Sequence, residues 1–182
     1  KALVFSEDPR WRIEHAQIID TSDIKLFNRK IIPSVQPTHA TSDMYWAEDR
    51  LGKKRLQGAY AYKLLLEKSG RIALGTDFPV ENVSPIKTFF SAVFREDSNL
   101  YPEDGYLPNN KLSKLEALKG MTIWGAYSNF EERQKGSIEV GKAADFVILD
   151  RDLLDEPKKR ILNAKIVATI LDGNIVYSNR IN

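Results

Sequence analysis

The sequence contains no cysteine among its 182 residues. A disulfide framework and a thiolate zinc site are therefore excluded, and the redox state of the compartment stays undetermined. No apolar run approaches the roughly 18–20 residues of a membrane-spanning helix, so we expect no membrane partner. The compartment is left open by these absences, although a soluble, cytoplasmic protein is favoured.

An excess of charge of either sign is also absent. Lysine and arginine total 27 against 25 aspartates and glutamates, which gives a formal net charge of +2. A surface that binds nucleic-acid phosphates needs clustered positive charge, so we expect no nucleic-acid partner. Two short basic runs, 53–55 and 158–160, have no accompanying aromatic stripe and are predicted to be solvated surface.

The residues that are present alternate between strand and helix patterns. The predicted strands are 11–16, 31–35 and 72–75, and the predicted helices are 21–30, 56–69 and 86–94. Ser113 and Glu116 have the spacing of a capping box, which predicts a further helix from there to about residue 119. This alternation indicates an α/β fold with a parallel sheet and right-handed crossovers. The polar segment 37–55 shows no clean period and is predicted to be a long functional loop.

The predicted secondary structure changes at Gly136 from alternating strands and helices to short strands alone. These strands are predicted at 144–149, 166–171 and 175–177, and Asp172-Gly173 between the last two is a strong hairpin signal. We therefore predict two parts, an α/β part over residues 1–135 and a small β part over residues 136–182.

The only two histidines both lie near predicted strand ends. His15 ends the first strand, His39 follows the second, and Asp77 follows the third. The carboxyl edge of a parallel sheet is where α/β enzymes place their active sites, and imidazole and carboxylate groups are suitable Zn²⁺ ligands. Structural histidines and a turn-capping Asp77 are the competing interpretation, and the spacing alone leaves both open.

Five segments carry a resemblance to a known family. They read Arg-Ile-Glu-His-Ala-Gln at 12–17, Ser-Val-Gln-Pro-Thr-His at 34–39, Leu-Gly-Thr-Asp-Phe-Pro-Val at 74–80, Leu-Ser-Lys-Leu-Glu-Ala-Leu at 112–118 and Gly-Ser-Ile-Glu-Val-Gly-Lys-Ala-Ala-Asp-Phe-Val-Ile-Leu-Asp at 136–150. Together they resemble the carboxyl-terminal part of a metal-dependent amidohydrolase, in the branch that includes N-substituted formamide deformylases. The resemblance covers essentially the whole chain.

This resemblance implies a fold and a set of roles. The fold is a partial TIM-type (β/α)₈ barrel, of which residues 1–135 supply the last three strands and their helices, and residues 136–182 supply strands of a small β-sandwich. The implied metal ligands are His15 and Asp77, and Asp77 is also the catalytic proton shuttle. His39 and Gln36 are implied to bind substrate, a small-molecule amide whose C–N bond is hydrolysed. The implied cofactor is a divalent metal, with zinc favoured.

The family's remaining metal ligands, on its first, fourth and fifth barrel strands, have no counterpart in this sequence. We therefore expect the carboxyl-terminal fragment of a hydrolase of non-peptide amide bonds, inactive alone, whose other strands lie upstream or on another chain. The alternative is a non-catalytic or complementing module that pairs with a chain carrying those strands. Unpaired strand edges in either case favour self-association, so a homo-oligomer is expected.

Overall fold

Three short strands pair in parallel in the first part of the chain. The computed structural model describes residues 7–179 and contains β1 (Trp11–Glu14), β2 (Ile31–Val35) and β3 (Ala73–Leu74) in the order β1-β2-β3. Central β2 occupies the predicted residues and is mostly buried, as its nearly continuous apolar run requires. Because all three strands run in one direction, their carboxyl ends lie at the same edge of the sheet.

The segment predicted to be a long loop after β2 is instead helical. Helix α1 (Pro37–Asp43) begins with proline at its first position, where the missing N–H has no helical partner to lose. Helix α2 (Ala47–Leu56) buries only Ala47 and contains a non-helical glycine, Gly52. The loop prediction was wrong because α2 is almost wholly polar and lacks the apolar stripe by which a helix is recognised.

The first predicted helix, 21–30, is also wrong. Only a single 3₁₀ turn forms there, over Ile24–Leu26, and the Asp23 side chain makes no capping hydrogen bond to it. The Asn28 side chain instead accepts a hydrogen bond from the Lys30 backbone N–H, and the Asn28 carbonyl accepts one from Ile31. This turn leads the chain directly into β2 and ends the helical stretch.

Four further helices cover the parallel sheet and enclose the core. They are α3 (Tyr62–Ser69), α4 (Pro85–Phe94), α5 (Lys114–Met121) and α6 (Ile123–Ser128). Helix α3 ends, as predicted, at Gly70 in a left-handed conformation, and α5 begins with the predicted capping box of Ser113 and Glu116. The core packs Phe89 and Phe90 of α4 with Leu65 of α3 and Val35 of β2.

The carboxyl-terminal part forms an antiparallel sheet of β4 (Phe146–Leu149), β5 (Ile166–Leu171) and β6 (Asn174–Ser178). Asp172 and Gly173 both have positive φ and make the predicted hairpin turn between β5 and β6. A short helix missed by the sequence patterns, α7 (Lys158–Ile161), precedes β5. Its Lys158 is not simply solvated, because its ammonium lies 3.0 Å from the buried carboxylate of Glu96.

The predicted mixed α/β class is confirmed, with one parallel and one antiparallel sheet. The parallel sheet is formed by residues before the predicted boundary between 135 and 136, and the antiparallel sheet by residues after it. That boundary itself stays a prediction. Within residues 7–179, none of the helices combines the length and apolar character that crossing a membrane requires.

Candidate metal centre

The carboxyl edge of the parallel sheet brings His15, His39 and Asp77 together. Each offers one potential ligand atom, and the three atoms all lie within 4.8 Å of one another. His15 follows β1 directly, His39 is the third residue of α1 just beyond β2, and Asp77 lies three residues beyond β3. Parallel pairing is the cause of this convergence, because it aligns three strand ends that are distant in sequence.

His39 and Asp77 make the tightest contact of the cluster. The Nε2 atom of His39 lies 3.0 Å from Oδ2 of Asp77, within ion-pair distance. The alignment does not make a hydrogen bond, so this buried Nε2 has no hydrogen-bond partner among the described residues. Buried polar atoms are almost always hydrogen-bonded, so a buried Nε2 without a hydrogen bond at a cluster of ligating groups can serve a further group there.

His15 is the exposed member of the cluster. Its Nδ1 atom lies 2.9 Å from Oε1 of Gln36, and its ring stacks on that of His39 with centroids 5.8 Å apart and an interplanar angle of 16°. Gln36, which the resemblance assigns to substrate binding, therefore contacts a candidate metal ligand directly.

Three residues at this edge of the sheet have strained backbone conformations. His15, Ala16 and Asp77 have φ of 63°, 40° and 61°, in the left-handed region. Such conformations cost about 1–3 kcal/mol each for residues other than glycine and persist at sites where the surrounding structure enforces them. The carbonyl of Asp77 accepts hydrogen bonds from the N–H groups of Val80 and Glu81, which hold the strained turn in place.

The sequence patterns did not predict a set of hydrogen bonds made by residues next to the cluster. The Tyr62 hydroxyl donates to the carbonyl oxygen of Gln36 at 3.2 Å. Tyr60 and Gln17 both donate to Oδ2 of Asp43, at 2.8 and 2.6 Å. Burial raises the pKa of both tyrosines, so their hydroxyls remain protonated donors at neutral pH. These partners come from three separate segments, so no local pattern could reveal them.

The residues present fit a divalent metal ion. The imidazole of His15 and the carboxylate of Asp77 are donors that Zn²⁺ and related ions accept, and a catalytic site typically has three protein ligands and an open position. The buried Nε2 of His39, which makes no hydrogen bond at this cluster, favours a functional site over three structural residues. His39, which the resemblance assigns to the substrate pocket, lies within the same cluster as the two implied ligands.

Comparison with known proteins identifies the family. The model of the amidohydrolase family matches residues 5–177. YtcJ of Bacillus subtilis, an amidohydrolase by name, is 36% identical over 169 residues, which are 91% of this chain and 32% of YtcJ. LONG AFTER FAR-RED 3 of Arabidopsis thaliana is 34% identical over 172 residues, covering 93% of this chain and 29% of that protein.

Two further matches concern an enzyme and a solved structure. N-substituted formamide deformylase of Arthrobacter pascens is 30% identical over 118 residues, 65% of this chain and 21% of the enzyme. The crystal structure of an uncharacterized metal-dependent hydrolase from Pyrococcus furiosus superimposes with a TM-score of 0.65 at 30% identity. That match covers 79% of this chain and 29% of the hydrolase. The chain thus spans less than a third of the length of the relatives it matches.

Proposed function

This chain belongs to the amidohydrolase family, and we propose that it forms part of a metal-dependent hydrolase. The reaction is cleavage of amide-type C–N bonds in small molecules, not of peptide bonds. The observation that carries the proposal is the convergence of three ligand atoms within 4.8 Å at one sheet edge. The match to an N-substituted formamide deformylase supports the deformylase-like branch and an N-substituted amide as substrate.

The proposal includes the architecture of the whole enzyme. The three parallel strands are the last three of a (β/α)₈ barrel, and residues 136–182 belong to a small β-sandwich. The parallel sheet followed by a separate antiparallel sheet supports this assignment, as does the small share of each relative that the chain spans. A barrel closes only with eight strands, so this chain alone is inactive.

The metal would be held by His15 and Asp77, together with ligands from the other strands. When bound, a divalent ion such as Zn²⁺ lowers the pKa of a coordinated water and so supplies hydroxide near neutral pH. Asp77 accepts the proton of the attacking water and returns it to the leaving nitrogen as general base and acid. Its strained backbone, with φ of 61°, keeps the carboxylate at the cluster.

Substrate binding falls to His39 and Gln36. A protonated Nε2 of His39 donates to the substrate carbonyl oxygen as negative charge develops there, a contribution of about 2.7–4 kcal/mol for a well-placed donor. The Oε1 atom of Gln36 is occupied by His15, which leaves the amide NH₂ group as a second donor to substrate. Both side chains are mostly buried, so bulk water competes little for them.

The test compares this chain with the longest form of the protein that can be expressed. We expect bound metal in the longer form by plasma mass spectrometry and turnover of N-substituted formamides. Asp77→Asn should lower that turnover by at least about 100-fold, the usual share of general acid–base catalysis, with unchanged thermal unfolding. Asp104→Asn, at an exposed position, is the matched control. Absence of metal from both forms, or full turnover by the Asp77 variant, would refute the proposal.

The alternative function is a non-catalytic or complementing module that pairs with another chain, and the exposed first strand fits it as well as it fits a hydrolase fragment. All four residues of β1 are exposed, and they include Trp11 at 54% and Ile13 at 41%. An exposed apolar edge strand is a template for pairing with another polypeptide or a second copy. Co-purification of a partner without metal or turnover would favour this alternative, and light scattering would reveal a homo-oligomer.

A further inference from the structure

Gln36 contacts both histidine-bearing segments at once. It follows the last residue of β2 and immediately precedes α1. Its side-chain Oε1 lies 2.9 Å from Nδ1 of His15, and its backbone carbonyl accepts a hydrogen bond from the N–H of His39 at 3.0 Å. One residue thus joins two imidazoles that come from different strand ends.

The side-chain contact has a consequence for the proton on His15. An amide oxygen carries lone pairs and no hydrogen, so it can only accept a hydrogen bond. The contact therefore places the proton of the neutral imidazole on Nδ1 and leaves the lone pair on Nε2. Metal-bound histidines in general donate their other ring N–H to such an oxygen, which fixes the tautomer and the ring orientation.

The main chain of Gln36 is itself fixed by a hydrogen bond from a buried tyrosine. Its carbonyl oxygen also accepts the hydrogen bond from the Tyr62 hydroxyl at 3.2 Å. The Tyr62 ring is buried and packs against the buried Arg95 guanidinium, whose Cζ lies 5.0 Å from the ring centroid. Burial lowers the pKa of Arg95 to about 10, so it remains a cation at neutral pH and keeps this cation–π contact.

We propose that Gln36 is a positioning residue, which selects the Nδ1–H tautomer of His15 and anchors the segment of His39. It thereby presents Nε2 of His15, with its lone pair, to the metal ion. The claim that this arrangement serves metal binding rests on the proposed function. The tautomer of His15 does not depend on that function, because the contacts that set it involve only residues of this chain.

The direct test is the tautomer of His15 in the metal-free chain. Because the chain has two histidines, long-range ¹H–¹⁵N NMR spectra of labelled protein contain only two imidazole patterns. At about pH 8, where an ordinary imidazole is neutral, we expect the wild type to show His15 with protonated Nδ1 and unprotonated Nε2. A protonated Nε2 in the wild type would overturn the proposal without any variant being made.

Three variants separate positioning from a general structural effect. Gln36→Met keeps the side-chain length but removes the acceptor, so the Nε2–H tautomer of His15 should become populated. Gln36→Glu restores an acceptor and should restore the Nδ1–H tautomer. Gln134→Met makes the same chemical change at an exposed position and should leave both histidines unchanged. An unchanged tautomer in folded Gln36→Met would also overturn the proposal.

Zinc titration of the longest form of the protein supplies the functional measurement. Loss of an outer-sphere partner of a metal-bound histidine typically weakens metal binding about 10–100-fold, and we expect this loss for Gln36→Met. Gln36→Glu should bind zinc at least as tightly as the wild type. If the longest form binds no zinc while the tautomer shifts as expected, the proposed function fails and the role of Gln36 in setting the tautomer stands.

Discussion

The parallel-sheet region, residues 11–128, and the antiparallel region, residues 146–178, differ in where they leave polar groups unsatisfied. All the buried side-chain atoms without a hydrogen-bond partner among the described residues lie in the parallel-sheet region, on Thr38, His39, Thr88, Arg95, Tyr106 and Asn110. The antiparallel region has none among its residues, and its one non-glycine residue with positive φ, Asp172, makes a hairpin turn. One of these unsatisfied atoms, Nε2 of His39, lies at the candidate site, where function is expected to override local rules.

The parallel-sheet region is nevertheless the more deeply buried of the two. Strand β2 is almost wholly buried, whereas every residue of β6 is exposed. The antiparallel sheet also exposes apolar side chains, including Val147 at 56% and Ile175 at 69%. The parallel-sheet region therefore supplies most of the stability, and the antiparallel sheet presents a surface that further chain or a partner can cover.

The largest expected effect comes from truncating the core of the parallel-sheet region. Phe89→Ala removes a fully buried ring and should lower the free energy of unfolding by about 3–5 kcal/mol, because a cavity remains. Ile175→Ala in β6 should change it by less than about 0.5 kcal/mol, as exposed substitutions usually do. Urea denaturation measures both. Equal losses would mean that the two regions contribute alike and would break the comparison.

A smaller effect is expected at the glycine where two loops of the parallel-sheet region meet. A Cβ atom on Gly58 would lie 1.8 Å from the carbonyl oxygen of Ile19, and the Ile19 N–H donates to the Gly58 carbonyl. Gly58→Ala should therefore lower the free energy of unfolding by about 1–3 kcal/mol through overpacking. Gly75→Ala, where a Cβ meets nothing within 4 Å, should be neutral or stabilise by up to about 1 kcal/mol. Thermal unfolding of both variants is the measurement.

The smallest effect concerns pH and the ion pair that ties α3 to α5. The Lys63 ammonium lies 2.7 Å from the Glu116 carboxylate. Partial burial alone raises the pKa of Glu116, but hydrogen bonds from Lys63 and Ser113 outweigh it and bring the pKa below its usual 4.5. A depressed folded-state pKa stabilises the protein above about pH 4.5, and that stability is lost as the pH falls through the folded value.

The melting temperature of the wild type should therefore fall more steeply than that of Glu116→Gln as the pH drops from 5 towards 3. The matched control is Glu67→Gln, which makes the same chemical change at an exposed position of α3 and should follow the wild type closely, as exposed substitutions usually do. A Glu116 variant with the same acid slope as the wild type would show that this pair contributes nothing measurable.

Sequence patterns located the elements whose signals are local. The apolar runs of β2 and β5 predicted their bounds, the Ser113–Glu116 spacing predicted the start of α5, and Asp172-Gly173 predicted the hairpin. Helix α2 was missed because a polar helix carries no apolar period, and 21–30 was overpredicted because a cluster of capping residues serves a turn equally well.

For the candidate site, the sequence by itself determined which residues could ligate a metal: two histidines and one aspartate, each just beyond a strand. Only the tertiary structure decided that their ligand atoms lie within 4.8 Å, that Nε2 of His39 is left without a hydrogen-bond partner, and that Gln36 contacts His15. The physical reason is the range of the interactions. Strand propensity and turn chemistry act over a few neighbouring residues, whereas the position of a side chain at a sheet edge depends on pairing and packing between segments far apart in the chain.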